Sequence, residues 1–355
     1  MAEHRRPRPV TPVVAHSPGR VNLIGDHTDY NEGLALPMAV DLGTTVTFVP
    51  DGGERVVLRS GTEPEPADVD LHVPLDPGLL RAIEPSWARY VAAIVSTVRP
   101  SSGGSGTVDS TLPIGAGLSS SAALEVATAL ALGCESEPMA LARTCQRAEQ
   151  AATGVPTGIM DQLVVSAARQ GCALLIDFAD LSMRHVEMPP DVEVVVVHSG
   201  ETRALERSAY AERRAECDAA AHRLGPLGRL DPHVALAIPD ALLRRRARHV
   251  VTECARVRGF TGALRSGDLI GAGRLMSESH RSLARDFEVS TPGLDALVEW
   301  LEGRPGVFGA RVTGAGFGGC VVALTEPGAL DLRAVRTPAW RVRAARGAHL
   351  VSGGH

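Results

Sequence analysis

The 355-residue chain has no lysine: its 36 strongly basic residues are all arginine. A Walker A loop, whose lysine reaches the β- and γ-phosphates, is therefore excluded, as are Schiff-base enzymes that need a primary amine. There is no excess of positive charge either. A formal net charge of −5 disfavours a nucleic-acid binder, which carries a basic face. The arginine-rich run from Arg244 to His249 reads instead as a solvated helix face. The six cysteines are scattered, with no C-x-x-C pair and no metal-ligand rhythm, which fits buried thiols in a reducing cytoplasm. No apolar run reaches the length of a membrane span, and the richest is interrupted by Glu125. The charged, proline-broken N-terminus lacks an apolar signal core.

What is present is the balance of a globular protein, 44% hydrophobic and 22% charged, with a length suited to two domains. Segment 34–49 turns strand-like after Pro37, and short apolar runs at 172–178 and 192–200 read as buried strands. Stretches 50–54, 61–70 and 99–106 read as loops. Helical spacing marks 86–98, 122–134, 140–152, 202–224, 240–258, 268–285 and 293–303. Residues 307–325 read as a strand, a glycine turn and a second strand. Strands and helices occur in both halves without a regular βαβ repeat. That pattern predicts an α+β pair of domains, 1–189 and 190–355, rather than a doubly wound sheet.

Four stretches carry chemistry. In PIGAGLSSSAALEV (113–126), Gly115 and Gly117 precede a serine-led helix start. Free N–H groups and the positive dipole end there suit the phosphates of a nucleotide, and a serine hydroxyl suits Mg2+. An ordinary serine-capped helix fits the same residues. SPGRVNLIGDHTDYNEGLALP (17–37) packs Arg20, Asp26, His27 and Asp29 into ten residues on a turn with two glycines. Such a set grips a polyhydroxylated ligand or forms a solvated loop. In GVPTGIMDQLVV (154–165), Asp161 is either a helix cap or a carboxylate in a partly dry cleft. GAGFGG (314–319) is a tight turn between strands, and it opens no helix, so it does not match a Rossmann fingerprint.

In this order the four stretches resemble the GHMP small-molecule kinase superfamily and, within it, the galactokinases. The likeness continues through AEQAATGVPTGIMDQ (148–162), the segment around Tyr210, HVVTECARV (249–257) and SESHRSLARDFEVSTPGLDALV (277–298), covering about residues 15–325. It implies a two-domain α+β GHMP kinase fold, with a ribosomal protein S5 domain 2-like N-terminal domain, a ferredoxin-like C-terminal domain and the active site between them. It also implies ATP-dependent phosphorylation of the anomeric hydroxyl of D-galactose by a cytoplasmic monomer using Mg2+, with no nucleic-acid or membrane partner. Asp161 then matches the base toward the sugar O1 and Arg20 its orienting cation. Sugar contacts fall on Asp26, His27, Asp29, the Gly158 backbone and Tyr210. ATP contacts fall on Trp87, which stacks on adenine, and on Gly115, Ala116, Gly117, Leu118, Ser119, Ser120 and Ser121. Ser121 and Glu149 match the Mg2+ ligands. On this reading the loop's N–H groups, the helix dipole, Mg2+ and Arg20 do the work of the missing lysine.

Three departures stand out. Asp26 occupies a position where galactokinases usually carry Glu, and Ala315 one where they carry Gly. The last 30 residues are shorter and more basic than the family pattern. The shorter Asp26 side chain keeps open a kinase for galactosamine, N-acetylgalactosamine or arabinose. A non-catalytic galactose/ATP sensor is the remaining alternative, and the presence of Arg20, Asp161 and Ser121-Ala122 speaks against it.

Overall fold

Three β-sheets organise the described residues. The computed structural model describes residues 11–113, 115–201, 206–235 and 237–351, with 206–208 described as backbone only. The charged segment 1–10, Ile114, and the start of the expected 202–224 helix at 202–205 lie outside the described residues. The largest sheet has the strand order His349–Leu350, Val13–Asn22, Pro37–Pro50, Gly104–Ser110, Arg55–Ser60, Ala67–Asp70. All its neighbours are antiparallel except Arg55–Ser60 beside Gly104–Ser110. A four-stranded antiparallel sheet follows the order Val307–Thr313, Cys320–Thr325, Glu193–His198, Ala339–Val342. A small third sheet joins Leu34–Ala35, Cys172–Asp177 and Ser182–Glu187.

The apolar run in Glu193–His198 reflects burial on both faces. Val194 and Val196 enter one core while Val195 and Val197 enter another. Helices Ala88–Val98, Ser120–Ala131 and Pro138–Thr153 pack together beside the large sheet, and Leu269–Ser282 and Pro292–Glu302 cover the four-stranded one. Between the two sheets lies a shared apolar layer. Val21, Leu23 and Ile24 from the first motif meet Val257, Phe260, Val196 and Val322 there. Each such buried side chain stabilises the layer by roughly 1.5–3 kcal/mol, so the polar residues that follow Ile24 rest on a rigid floor.

The expected elements are present, with corrections. Loop 61–70 ends in the strand Ala67–Asp70, and 99–106 runs into Gly104–Ser110. Stretch 17–37 is not a turn throughout, because its first residues belong to the strand Val13–Asn22. The arginine run is solvated only in part, with Arg248 exposed and Arg244 and Arg245 half-buried. Arg246 is 1% exposed and ion-paired to Glu216 and Glu288, and His249 is fully buried. All six cysteines are free thiols, buried except for half-buried Cys134. Among the described residues no helix is long and apolar enough to cross a membrane.

Candidate active site

A β-bulge starts the site. The register of Val13–Asn22 against Pro37–Pro50 shifts between Pro18 and Gly19, which re-aims the next side chain, Arg20. Only glycine fits at 19, since a Cβ would lie 2.4 Å from Leu112 Cδ2 and 2.6 Å from Leu118 O. The Arg20 amide donates to Leu118 O at 3.1 Å, tying the strand to the serine-rich loop. Its guanidinium is then fixed in three directions. Nε donates to Asp161 Oδ1 at 2.8 Å, Nη2 to Asp161 Oδ2 at 2.6 Å, and Nη1 to Gly117 O at 2.6 Å.

Asp161 lies in the first turn of the helix Met160–Ala167 and makes no capping bond. It belongs to the cleft. Besides Arg20, Ser119 Oγ donates to Asp161 Oδ2 at 2.5 Å. Ser119 is the N-cap residue of the helix Ser120–Ala131 and takes a left-handed backbone, φ 58°, with no side-chain cap. Gly115 and Gly117 also have positive φ, 74° and 76°. The loop thus turns tightly and leaves the first N–H groups of the helix uncapped, an arrangement that receives anions.

Behind the loop, Ser121 Oγ donates to Glu149 Oε1 at 2.9 Å. Thr157 Oγ1 at 3.0 Å and Gln162 Nε2 at 2.9 Å donate to Glu149 Oε2. Burial, and then the nearby charge of Asp161, push the Glu149 carboxyl up. A cation at this point would relieve that strain. No group of three or more His, Cys, Asp or Glu gathers for a metal among the described residues. One hydroxyl and one carboxylate are nevertheless the sparse set that Mg2+ accepts when substrate phosphates complete its shell.

Arg20, Asp26, His27, Asp29, Gly115, Gly117, Ser119, Ser120, Ser121, Glu149, Gly158, Asp161, Tyr210 and Ala315 line one cavity of about 330 Å3. Its far wall is aromatic. His27 contacts Phe287 with ring centroids 4.6 Å apart and Tyr210 at 5.9 Å, and its Nδ1 meets Tyr30 OH at 2.9 Å. Burial lowers the His27 pKa to about 4, so its imidazole is neutral at pH 7. Asp29 is pushed up to about 6, first by burial and then by the charge of Asp161. Gly158 lies flush against it, since a Cβ there would sit 1.6 Å from Asp29 Oδ2. Ala315 is not among the residues with positive φ, so its methyl introduces no backbone strain in the glycine turn.

Asp26 is more constrained than its motif suggests. It is 2% exposed, with Oδ2 2.5 Å from Arg311 Nη2 and Oδ1 accepting from the Gly314 amide at 3.0 Å. Arg311 is itself fully buried, and its Nε donates to Ser279 Oγ at 3.1 Å. Burial alone would raise neighbouring Glu253, but Arg256 and Arg311 bring it down to about 2. Sequence reasoning missed Arg311, although an arginine between apolar Ala310 and Val312 in a strand was a signal. Also missed were Gln162, Thr157 and the role of Ser119 on Asp161.

A second cavity of about 310 Å3 adjoins the first through Tyr90, Ser120, Ser121 and Thr153. Trp87 lines it but is only 8% exposed, packs into the core between the large sheet and its helices, and donates Nε1 to Glu65 O at 3.1 Å. Ala116 and Leu118 are buried in the shared apolar layer and contribute backbone to the loop.

Known proteins resemble the chain in the same terms. The galactokinase galactose-binding signature matches residues 3–50, the GHMP kinases N terminal domain 89–168, and the GHMP kinases C terminal domain 260–336. Galactokinase of Bos taurus is 44% identical over 329 residues, 88% of this chain and 83% of its own. Galactokinase of Homo sapiens is 43% identical over 327 residues, again 88% and 83% of the two chains. The crystal structure of Lactococcus lactis galactokinase complexed with galactose superposes with a TM-score of 0.87 at 30% identity, covering 96% of this chain and 95% of that one.

Proposed function

The chain belongs to the galactokinase family of the GHMP kinases, and from that membership we propose how its cleft transfers a phosphoryl group from ATP to D-galactose. The observation that carries the reading is the bidentate Arg20–Asp161 pair, facing the same cavity as the uncapped helix start. The sugar's anomeric hydroxyl sits against Asp161, which takes its proton as O1 bonds to the γ-phosphorus. The bond from that phosphorus to the β–γ bridging oxygen breaks, and ADP leaves. Phosphoryl transfer gains mostly from positioning and charge stabilisation. Arg20 and Ser119 hold Asp161 in one orientation, which supplies the positioning.

His27, Asp29, Tyr210 and the Gly158 backbone surround the rest of the sugar, with Asp26 beneath. The phosphates lie against the loop Gly115–Ser121, and the base occupies the second cavity beside Trp87. Ser121 and Glu149 would hold Mg2+, whose charge would offset that of the phosphates. We place the division of the chain near residue 189, with the cleft between the two parts, and read six free thiols as those of a cytoplasmic protein.

Asp26 supports a second reading, a kinase for galactosamine, N-acetylgalactosamine or arabinose. Its carboxylate is committed to Arg311 and Gly314, which widens the choice of sugar. A coupled ADP-release assay with Mg-ATP decides, run against galactose, these three sugars and glucose. Galactose should give by far the highest kcat/KM. A higher value for another sugar would shift the assignment to it, and binding without turnover would make the chain a sensor.

A further inference from the structure

Behind the phosphate-facing loop, two buried polar side chains take no part in the chemistry above. Glu125 is fully buried in the middle of the helix Ser120–Ala131, in a run otherwise of Ala, Leu, Val and Thr. Gln162, equally buried, is the residue after Asp161. Its Nε2 donates to Glu125 Oε2 at 3.2 Å and to Glu149 Oε2 at 2.9 Å, so one amide bridges two carboxyl groups on different helices. Among the described residues no cation is ion-paired with Glu125, and its Oε1 has no hydrogen-bond partner. A buried charge without a counter-ion is costly, which favours the uncharged form of Glu125. Burial and the Glu149 charge both act in that direction.

We infer that Glu125 is a positioning residue, which through the Gln162 amide fixes the Glu149 carboxylate with Oε1 turned toward Ser121 and the phosphate end of the cavity. Gln162 fixes one oxygen of Glu149 and leaves the other for Ser121 at 2.9 Å. Glu125 in turn holds the amide. Without its acceptor, Gln162 is free to turn, and Glu149 Oε2 keeps only Thr157. Groups that orient a metal ligand typically change metal affinity 10–100-fold when removed. The inference rests on the reading of Ser121 and Glu149 as the Mg2+ ligands.

The test titrates Mn2+ into the full chain with a non-hydrolysable ATP analogue and reads free Mn2+ by electron paramagnetic resonance, without turnover. Glu125→Leu should weaken Mn2+ binding by about tenfold or more, while galactose affinity by calorimetry stays at the wild-type value. Glu125→Gln keeps an uncharged acceptor in place and should bind Mn2+ within about twofold of wild type. Wild-type Mn2+ binding by Glu125→Leu, or equal losses in the Leu and Gln variants, would overturn the role. If Glu125→Leu does not fold, Gln162→Met cuts the same link, and unchanged Mn2+ affinity there overturns the proposal too. Glu149→Ala separates the two ideas. No loss in Glu149→Ala sinks the metal assignment itself, whereas a loss there with none in Glu125→Leu sinks only the positioning.

Discussion

Replacing Asp161 with Asn preserves shape while removing the charge on which three donors converge. Arg20 Nε and Nη2 at 2.8 and 2.6 Å and Ser119 Oγ at 2.5 Å all point at its carboxylate. An amide offers one carbonyl oxygen to these donors, and its NH2 group faces at least one of them as a second donor. Arg20 then keeps Gly117 O and only one of its two bonds to residue 161. Breaking a fully buried pair costs about 3–5 kcal/mol and an exposed one about 0–1. Here the side chains are 8% and 29% exposed, which places the cost between those limits, at about 1–3 kcal/mol.

The catalytic loss should exceed that. Removing a positioned acid–base group lowers rate about 10²–10⁴-fold, which is about 3–5 kcal/mol of barrier. We expect Asp161→Asn to melt a few degrees below wild type, to bind galactose in calorimetry, and to lose at least about a hundredfold in kcat in the ADP-release assay. A folded variant that retains more than about a tenth of wild-type kcat would refute the assignment of Asp161 as the proton acceptor.

Two further outcomes follow from the sugar wall. Asp29, with its carboxyl at about 6, is neutral below that pH in the free protein, so kcat/KM for galactose should rise as pH passes upward through about 6. The sign follows for stability as well: burial favours the protonated form, so the folded state binds the proton more tightly, and Asp29 lowers stability as pH rises from about 4 to about 6. Asp29→Asn should abolish this limb of the kinetic profile, and an unchanged limb would assign it to another group. Asp26→Glu adds about 1.5 Å of side chain where Asp26 is 2% exposed. The longer carboxylate should leave the Gly314 amide for the cavity and lower KM for galactose, at some cost in melting temperature from overpacking. A raised KM would mean that the pocket is built around Asp.

Much of the fold was legible because its long amphipathic helices and apolar strands announce themselves. The strand Gly104–Ser110 was harder, since GSGTVDS has only two β-branched residues, and its pairing on both edges shows only in the folded chain. Arg246 shows the limit of reading charge runs: one arginine of the cluster is buried by Glu216, Glu288 and the Asp286 carbonyl, all distant in sequence. In the site, motif resemblance supplied Arg20 and Asp161 although 141 residues separate them. It did not supply Arg311, Glu125 or Gln162. These are polar side chains inside apolar stretches, and their partners come from other helices or strands. Periodicity places such residues in the core without saying what satisfies them there.

The missing lysine and the unusual helix start have a common explanation. A lysine ammonium is a point charge with rotatable donors, whereas the guanidinium of Arg20 is a planar fork. Here three of its five N–H groups are engaged, two on Asp161 and one on Gly117 O, so among the described residues the cation paired with the proposed acceptor also holds the loop in place. Further positive potential for the phosphates comes from the helix end. Ser119 provides for it by not capping its own helix: its left-handed backbone turns its hydroxyl to Asp161 and leaves the first N–H groups of Ser120–Ala131 open to the cavity. One serine thus links the carboxylate that receives the sugar to the helix end that receives the nucleotide, and a lysine at the loop would compete with Arg20 for the same carboxylate.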